Sequence, residues 1–378
     1  MKVAIIFDTS AGGLAGHGTH LAFRGLPVEM TAVADSNLQD LEARMKEMRV
    51  PRHYTDFVEM MDRERPDIAV LGSRVPGDHI KPFKAAAERG IHMLIEKPLC
   101  STLEEADEMI RLAEKYRIKV AIAHLARHAL VFRTMKKMVQ EGAIGCLLTM
   151  YGRGKEDERG GGEDLAVLGT HILDLMNFLS GTPESLFSEV FCGRHPLKQT
   201  DSFPTSEPVG PVAGDNLFAV FRYPDNVRGI FESRRGIFQP GGQVRMGITL
   251  AGTAGCLSVR YDNGERTLRL THSPYPPEDE ASYEEVPLHE TRKIPGAEPL
   301  ITDGWLPYFA VNNRFAAWDL IEAVRENRQP LASIYDARTV LEQIQGIYAS
   351  QLEGRRITLP LRQRRHPLTD RKSENDYN

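Results

Sequence analysis

Cysteine is scarce: the 378 residues hold four, Cys100, Cys146, Cys192 and Cys256, far apart and in no paired short spacing. That pattern argues against a zinc or redox dithiol site and fits reduced thiols in a cytoplasmic protein. A basic excess is also missing. Forty-seven Lys plus Arg face 52 Asp plus Glu, a net charge of −5, and the strongest basic cluster, Arg362 to Lys372, is confined to the C-terminus. Such a field gathers neither nucleic acid nor anionic lipid, so neither is expected as a partner. Long apolar runs are absent too: Val3–Phe7 is broken by Asp8, too short for a secretory signal or a membrane span. Core material is plentiful, at 41% hydrophobic residues over a length that suits two domains.

The first half alternates strand and helix signals. Short aliphatic runs at Val3–Phe7, Met30–Ala34, Ile68–Leu71, Met93–Ile95 and Val120–Ala123 predict strands. Leu38–Met48, Phe57–Arg65, Ile80–Arg89 and Leu103–Tyr116 carry helical periodicity, the last behind the capping-box pattern Thr102-Leu103-Glu104-Glu105. This βαβ rhythm predicts a doubly wound α/β domain, whose ligands bind beyond the C-terminal ends of the strands. From Leu147 the rhythm changes. Runs at Leu147–Arg153, Leu186–Cys192, Leu217–Tyr223, Val227–Arg234, Gly247–Ala251 and Leu257–Tyr261 predict an antiparallel sheet, with helices at Leu165–Leu179, Asn312–Glu326 and Tyr335–Glu353: an α+β domain. Residues 194–214 and 272–300 read as loops, and the charged tail after Leu361 as disordered.

Behind the first strand, Ala11-Gly12-Gly13-Leu14-Ala15-Gly16-His17-Gly18 fits GxGxxG only if Ala11 stands in for the first glycine. Gly12 and Gly13 would let backbone approach a pyrophosphate, Gly16 would let helix and sheet pack closely, and His17 or His20 would add a contact. A merely flexible turn is the other reading. Asp35 favours the first: it ends the second strand nineteen residues after Gly16, where a carboxylate accepts a ribose 2′-hydroxyl and repels a 2′-phosphate. NAD is expected over NADP. Glu96-Lys97-Pro98 follows the strand Met93–Ile95 and puts a carboxylate and an ammonium at the same sheet edge, the alternative being a surface ion pair.

The glycine-rich turn, Asp35, Glu96-Lys97-Pro98 and Gly169-Thr170-His171-Ile172-Leu173-Asp174, in that order, resemble the glucose-fructose oxidoreductase / inositol dehydrogenase (Gfo/Idh/MocA) family. Phe315…Leu320-Ile321-Glu322-Ala323 and Gly354…Ile357-Thr358-Leu359-Pro360-Leu361 also resemble its closing helix and last strand, so the likeness runs over residues 1–361. It implies a Rossmann NAD-binding domain over 1–125, a substrate and oligomerisation domain with a large open, mostly antiparallel sheet over 126–361, and a tail over 362–378. It also implies a homo-oligomer, dimer or tetramer, through that sheet, and oxidation of a sugar or polyol hydroxyl with Lys97 and His171 at the active site. One departure stands out. Many members carry an aspartate four residues before the histidine, in a GGxxxxD segment, but Gly161-Gly162-Glu163-Asp164-Leu165-Ala166-Val167 ends in valine. Asp164 or Glu163 is the available replacement, at least a helical turn away.

Hydride leaves a carbinol carbon only as the hydroxyl proton is removed, so one base must lie within hydrogen-bond reach. A like charge and partial desolvation beside an oxidised nicotinamide favour the neutral amine of Lys97. His171 is the second acid/base candidate, with Asp174 on the same helix to orient it; a helix-surface pair is the plainer reading of those two. Arg127, in Ala123-His124-Leu125-Ala126-Arg127-His128, matches an arginine that lines the family's substrate pocket. His124 and His128 have metal-ligand spacing but no third ligand, and no metal is expected. Trp305 is the candidate pocket wall among the aromatics Trp305, Tyr308, Phe309, Phe315 and Trp318, most of which suit core packing. Two other functions remain open on the valine at 167: a redox-neutral enzyme that recycles bound NAD, giving epimerisation or glycoside cleavage, and a non-catalytic nicotinamide-binding sensor.

Overall fold

The aliphatic runs of the first half form one parallel sheet. The computed structural model describes residues 1–378 apart from 9–16, 238–245, 262–265, 278, 303, 305 and 370–378. The strands are β1 (Lys2–Ile6), β2 (Glu29–Ala34), β3 (Arg52–Tyr54), β4 (Ile68–Leu71), β5 (His92–Ile95) and β6 (Val120–Ile122). Their order is β3-β2-β1-β4-β5-β6, the doubly wound order, and every pairing is parallel. Helices α1 (Leu41–Met48), α2 (Phe57–Glu64), α3 (Ile80–Glu88) and α4 (Leu103–Tyr116) alternate with them. Val3, Ile5, Ile68, Val70 and Leu94 share one buried cluster, each such side chain contributing roughly 1.5–3 kcal/mol by leaving water. Asp56 caps α2 by accepting the Val58 amide at 2.7 Å. Ahead of α4, Glu105 accepts the amide of Ser101 at 3.0 Å.

Packing divides the chain into two compact units. The first takes Met1–Ser101, Glu105–Ala129 and Glu290–Arg338; the second takes Thr102–Glu104, Leu130–His289 and Thr339–Asn378. Residues 290–338 thus pack with the N-terminal sheet, whereas the sequence expectation ran the second domain over 126–361.

The second unit opens with α5 (Leu130–Gln140), which buries Val131, Phe132 and Met135. Strand β7 (Leu147–Arg153) follows, then a helical segment in three pieces: a single turn α6 (Gly162–Asp164), a π turn Leu165–Gly169 and α7 (Thr170–Ser180). The remaining strands are β8 (Ser185–Cys192), β9 (His195–Pro196), β10 (Asn216–Arg222), β11 (Arg228–Arg234), β12 (Gly247–Gly252), β13 (Cys256–Arg260), β14 (Leu268–Thr271), β15 (Glu284–Glu285) and β16 (Ile357–Thr358). They form a ten-stranded sheet in the order β15-β14-β13-β12-β7-β11-β10-β8-β16, with β9 paired to β8. All pairs are antiparallel except β11 with β7.

Register gives this sheet two unlike faces. Val190, Leu217, Ala219, Phe221, Phe231, Met150, Ile248, Leu250, Leu257 and Val259 are buried on one. The other carries Phe187, Val220, Ile230, Tyr151, Thr249 and Ser258 in one cross-strand row.

Helix α8 (Pro307–Arg325) belongs to the first unit, where Ala317, Leu320 and Ile321 join the cluster of Val3, Ile5 and Val70. Helix α9 (Ile334–Glu353) ends in the second unit, where Ser350 Oγ and Gln351 Oε1 accept the β8 amides of Ser188 and Val190. Residues 362–369, expected as the start of a disordered tail, are packed there: Leu368 is buried, Arg364 pairs with Glu342 at 3.0 Å, and the His366 ring lies 5.7 Å from that of Tyr348. Among the described residues, no helix is long and apolar enough to cross a membrane.

Candidate active site

In the first unit, β1 lies between β2 and β4, so the chain leaves its C-terminal end in opposite directions and opens the sheet there. Asp35 follows β2 and is 1% exposed. Its Oδ1 accepts the Asn37 amide at 2.9 Å, and its Oδ2 is 3.1 Å from both Nε and Nη2 of Arg44. Gly12, Gly13 and Gly16 lie outside the described residues. The His17 ring stacks on Phe309 at 4.6 Å, and its carbonyl accepts Asn313 Nδ2 at 2.8 Å. His20 is buried and stacked on Phe7 at 4.4 Å; burial, aided by Arg24, pushes its imidazole down to about 4, so it is a neutral packing ring near pH 7. Gly72, just beyond β4, leaves room for that stack, since a Cβ there would meet His20 Cβ and Phe7 Cδ2 at 3.1 Å.

The turn after β5 holds Glu96 and Lys97 at 2% exposure each, so the pair is buried and the surface reading of it does not hold. Glu96 Oε2 accepts the Thr19 hydroxyl, which also lies 3.4 Å from Asn313 Oδ1. Burial raises the Glu96 carboxyl above its ordinary range, against the pull of the neighbouring Lys97 ammonium. The Lys97-Pro98 peptide is cis. Below the turn, the buried His79 bridges two carbonyls, Nδ1 at 2.9 Å from Leu99 O and Nε2 at 2.8 Å from Ser73 O. Thus a residue of the first loop, one of β5's end and one of α8 meet at Thr19, Glu96 and Asn313.

Arg127, expected at a pocket wall, is 5% exposed and directs Nη1 at the Leu331 carbonyl and at Asp336 Oδ1, both at 3.0 Å. That geometry braces the end of β6 against the start of α9. His124 and His128 are buried beside it, and among the described residues no three His, Cys, Asp or Glu side chains are grouped to hold a metal. Trp305 lies outside the described residues.

In the second unit, Gly160-Gly161-Gly162 leads into α6. A Cβ at Gly160 would lie 2.3 Å from Arg235 Cα, and one at Gly162 would lie 2.2 Å from Ala213 O. Three glycines are therefore a consequence of backbone lying on backbone. Asp164 is fully buried: Ser233 Oγ donates to its Oδ2 at 2.5 Å and the Glu156 amide at 3.2 Å, while Oδ1 has no hydrogen-bond partner. Burial raises its carboxyl above the ordinary range, against the hydrogen bonds from Ser233 and the Glu156 amide. Glu163 instead holds the loop after β9, accepting the amides of Ser206 at 2.9 Å and Glu207 at 3.2 Å. Val167 is 1% exposed in the π turn. His171 is half-buried near the start of α7, and Asp174 is fully buried, so these two are no helix-surface pair.

Residues 11–124 match the model of an oxidoreductase family with an NAD-binding Rossmann fold, and residues 132–258 match the Gfo/Idh/MocA C-terminal domain. The chain belongs to the Gfo/Idh/MocA family. Similar proteins include a scyllo-inositol 2-dehydrogenase (NADP(+)) of Bacillus subtilis, 28% identical over 145 residues, covering 35% of this chain and 40% of that one. A D-apiose dehydrogenase of Paraburkholderia graminis is 24% identical over 377 residues, 92% of this chain and 89% of its own. The match to the first of these spans less than half of that relative. Among solved structures, a levoglucosan dehydrogenase in complex with NADH and levoglucosan superimposes with a TM-score of 0.73 at 19% identity, covering 96% of this chain and 100% of the other.

The Gfo/Idh/MocA fold requires a dinucleotide edge, and the described residues fit one. The buried Asp35 carboxylate follows β2, and the buried Glu96-Lys97 turn follows β5 of the same sheet. Sequence reasoning missed Thr19, Arg44, Asn313, Glu156 and Ser233. Only Arg44, a cation on the helix after Asp35, left a local trace; Asn313 approaches Thr19 from 294 residues away.

Proposed function

We propose that this protein is an NAD-dependent dehydrogenase that moves a hydride between a sugar, glycoside or polyol hydroxyl and nicotinamide. The observation that carries the reading is a lysine buried at 2% exposure in the turn after β5, on a sheet whose second strand ends in a buried aspartate, in a Gfo/Idh/MocA chain. Bound NAD would supply the hydride acceptor. Asp35 and the Glu96-Lys97 turn would hold it, Lys97 would take or hold the hydroxyl proton, and His171 would exchange a proton with the reacting oxygen. Asp164 is assigned to structure rather than substrate, because Ser233 and the Glu156 amide enclose it. The test is purified protein with NAD and a panel of hexosides, free sugars and inositols. Reduced nicotinamide should accumulate with at least one; none with any of them, despite measured NAD binding, defeats the reading.

Val167 favours a second reading, in which the hydride returns to product and NAD is recycled, because valine cannot serve in the proton relay of members with aspartate there. Product analysis showing turnover without net reduced nicotinamide would select it.

The working form is a homo-oligomer joined through the open face of the ten-stranded sheet. Tyr151, Phe187 and Phe218 are 41%, 36% and 39% exposed on that face, more aromatic surface in one sheet than a monomer needs to leave in water. A cytoplasmic location agrees with four free cysteines, Cys100, Cys146, Cys192 and Cys256.

A further inference from the structure

Glu96 and Lys97 are neighbours in sequence and both 2% exposed, so the turn after β5 buries a carboxyl and an amine together. Two other segments of the first unit reach that carboxyl. The single helical turn Thr19–Leu21 brings the Thr19 hydroxyl, which donates to Glu96 Oε2. A second acceptor, Asn313 Oδ1 of α8, stands farther off at 3.4 Å, so the hydroxyl proton goes to Glu96. Asn313 Nδ2 meanwhile donates to the His17 carbonyl at 2.8 Å and pins the chain two residues before Thr19. Thr19 and Asn313 are both buried, so water does not compete for these bonds.

A buried carboxyl beside a lysine has two states with opposite consequences. Ionised, it favours the protonated form of the neighbouring amine; neutral, it withdraws that support, and the buried ammonium sheds its proton at lower pH. Burial pushes Glu96 toward the neutral acid, and the Lys97 ammonium, the Thr19 hydroxyl and the Arg74 guanidinium oppose it, in that order. With burial already working against the charge, each donor to the ionised form counts. The imidazoles of neighbouring segments add no charge near pH 7. His20, next to Thr19, is stacked on Phe7 and lowered to about 4. His79, below the turn, is lowered by burial, and its two nitrogens face the carbonyls of Leu99 and Ser73.

We propose that Thr19, seated by Asn313, is a positioning residue for Lys97: by donating to Glu96 it keeps a carboxylate beside the amine and so sets the pH at which Lys97 gives up its proton. This rests on the reading of Lys97 as the group that handles the hydroxyl proton, and it moves the Glu96 carboxyl from holding cofactor to tuning that lysine. Two measurements on the full chain test it. Carbon-13 NMR of protein labelled at lysine Cε, with the Lys97 signal assigned by its loss in Lys97→Arg, follows the amine directly and needs neither substrate nor turnover. The acid limb of kcat against pH, on the sugar found in the panel, follows it at work. Glu96→Gln, the same shape without the charge, should lower the Lys97 midpoint by about one pH unit or more, and Thr19→Val by about half a unit. Asn313→Ala should act in the same direction, and the acid limb should move with the midpoint. Thr19→Ser keeps the hydroxyl and should restore the wild-type value; Thr19→Ala reads the loss of the hydroxyl if Thr19→Val does not fold. A midpoint in the hydroxyl-free variant within about 0.2 pH unit of wild type overturns the proposal. So does a Glu96→Gln that weakens NADH binding and leaves the midpoint in place. Midpoints that move as expected while Lys97→Ala keeps wild-type kcat uphold the tuning and overturn the part given to Lys97 in the reaction.

Discussion

Glu156 shows how much a single buried group can shape the behaviour of this molecule. It is 2% exposed, and burial pushes its carboxyl up to about 7, with Arg153 opposing and Glu232 and Asp164 reinforcing the shift. The folded pKa exceeds the unfolded one, so the native state binds more protons between about pH 4.5 and 7. Stability from this group is therefore greatest below that window and falls as pH rises through it, by up to about 1.4 kcal/mol per pH unit. Glu156→Gln should match wild type near the low end and exceed it increasingly toward pH 8; a melting-temperature difference that does not change with pH would refute this. His20 and His366 act in the opposite sense. Each is buried neutral, with its imidazole lowered to about 4, and so each loses stability on acidification below its unfolded value. Val167 makes a sharper residue-scale case. At 1% exposure it sits where an aspartate would have to be buried, so Val167→Asp should lower stability by about 2–4 kcal/mol rather than restore a proton relay. Activity rising in a stably folded Val167→Asp would contradict that. Lys97 and Asp35 were legible as residues because each ends an aliphatic run; Thr19 and Asn313 were not, because what brings them together is tertiary contact across 294 residues.

At the scale of elements, periodicity reveals whatever buries a regular apolar face and misses what does not. β1, β4 and β7 were legible for that reason. Strand β3 reads Arg52-His53-Tyr54, with no apolar signal, and is held as an edge strand by its pairing to β2 and by Arg52 and Tyr54, which both donate to Glu64 Oε1 at 2.6 Å. The helix predicted at Leu165–Leu179 is present, but its first part is a π turn, a change of hydrogen-bond pitch that side-chain pattern does not encode. In the sequence, the glycines before it read only as part of the GGxxxxD-like segment. Their cause is contact: Gly161 has φ +88, and a Cβ would lie 2.4 Å from Gly214 O. Gly161→Ala should destabilise the second unit by roughly 3 kcal/mol, seen as a lower calorimetric melting temperature; an unchanged one would refute the close approach.

At the scale of the whole molecule, the largest surprise to a reader of the sequence is the return of residues 290–338 to the N-terminal unit. Helix α8 was predicted as a helix, but nothing in its own pattern says that Leu320 and Ile321 join a core begun by Val3 and Ile5. The open sheet face carries the oligomer reading, and Phe218→Glu should shift the sedimentation coefficient toward that of a single chain, about 42 kDa, without loss of secondary structure. A wild type that sediments as a monomer would contradict it. The claim on which the rest depends is that Lys97 handles the proton of a hydroxyl being oxidised. It is tested most directly by Lys97→Ala, with kcat measured on the sugar found in the panel and NADH affinity measured in parallel. The account predicts a fall in kcat of roughly 10²–10⁴-fold while NADH still binds. A kcat within a few-fold of wild type, in a variant that still binds NADH, would contradict it.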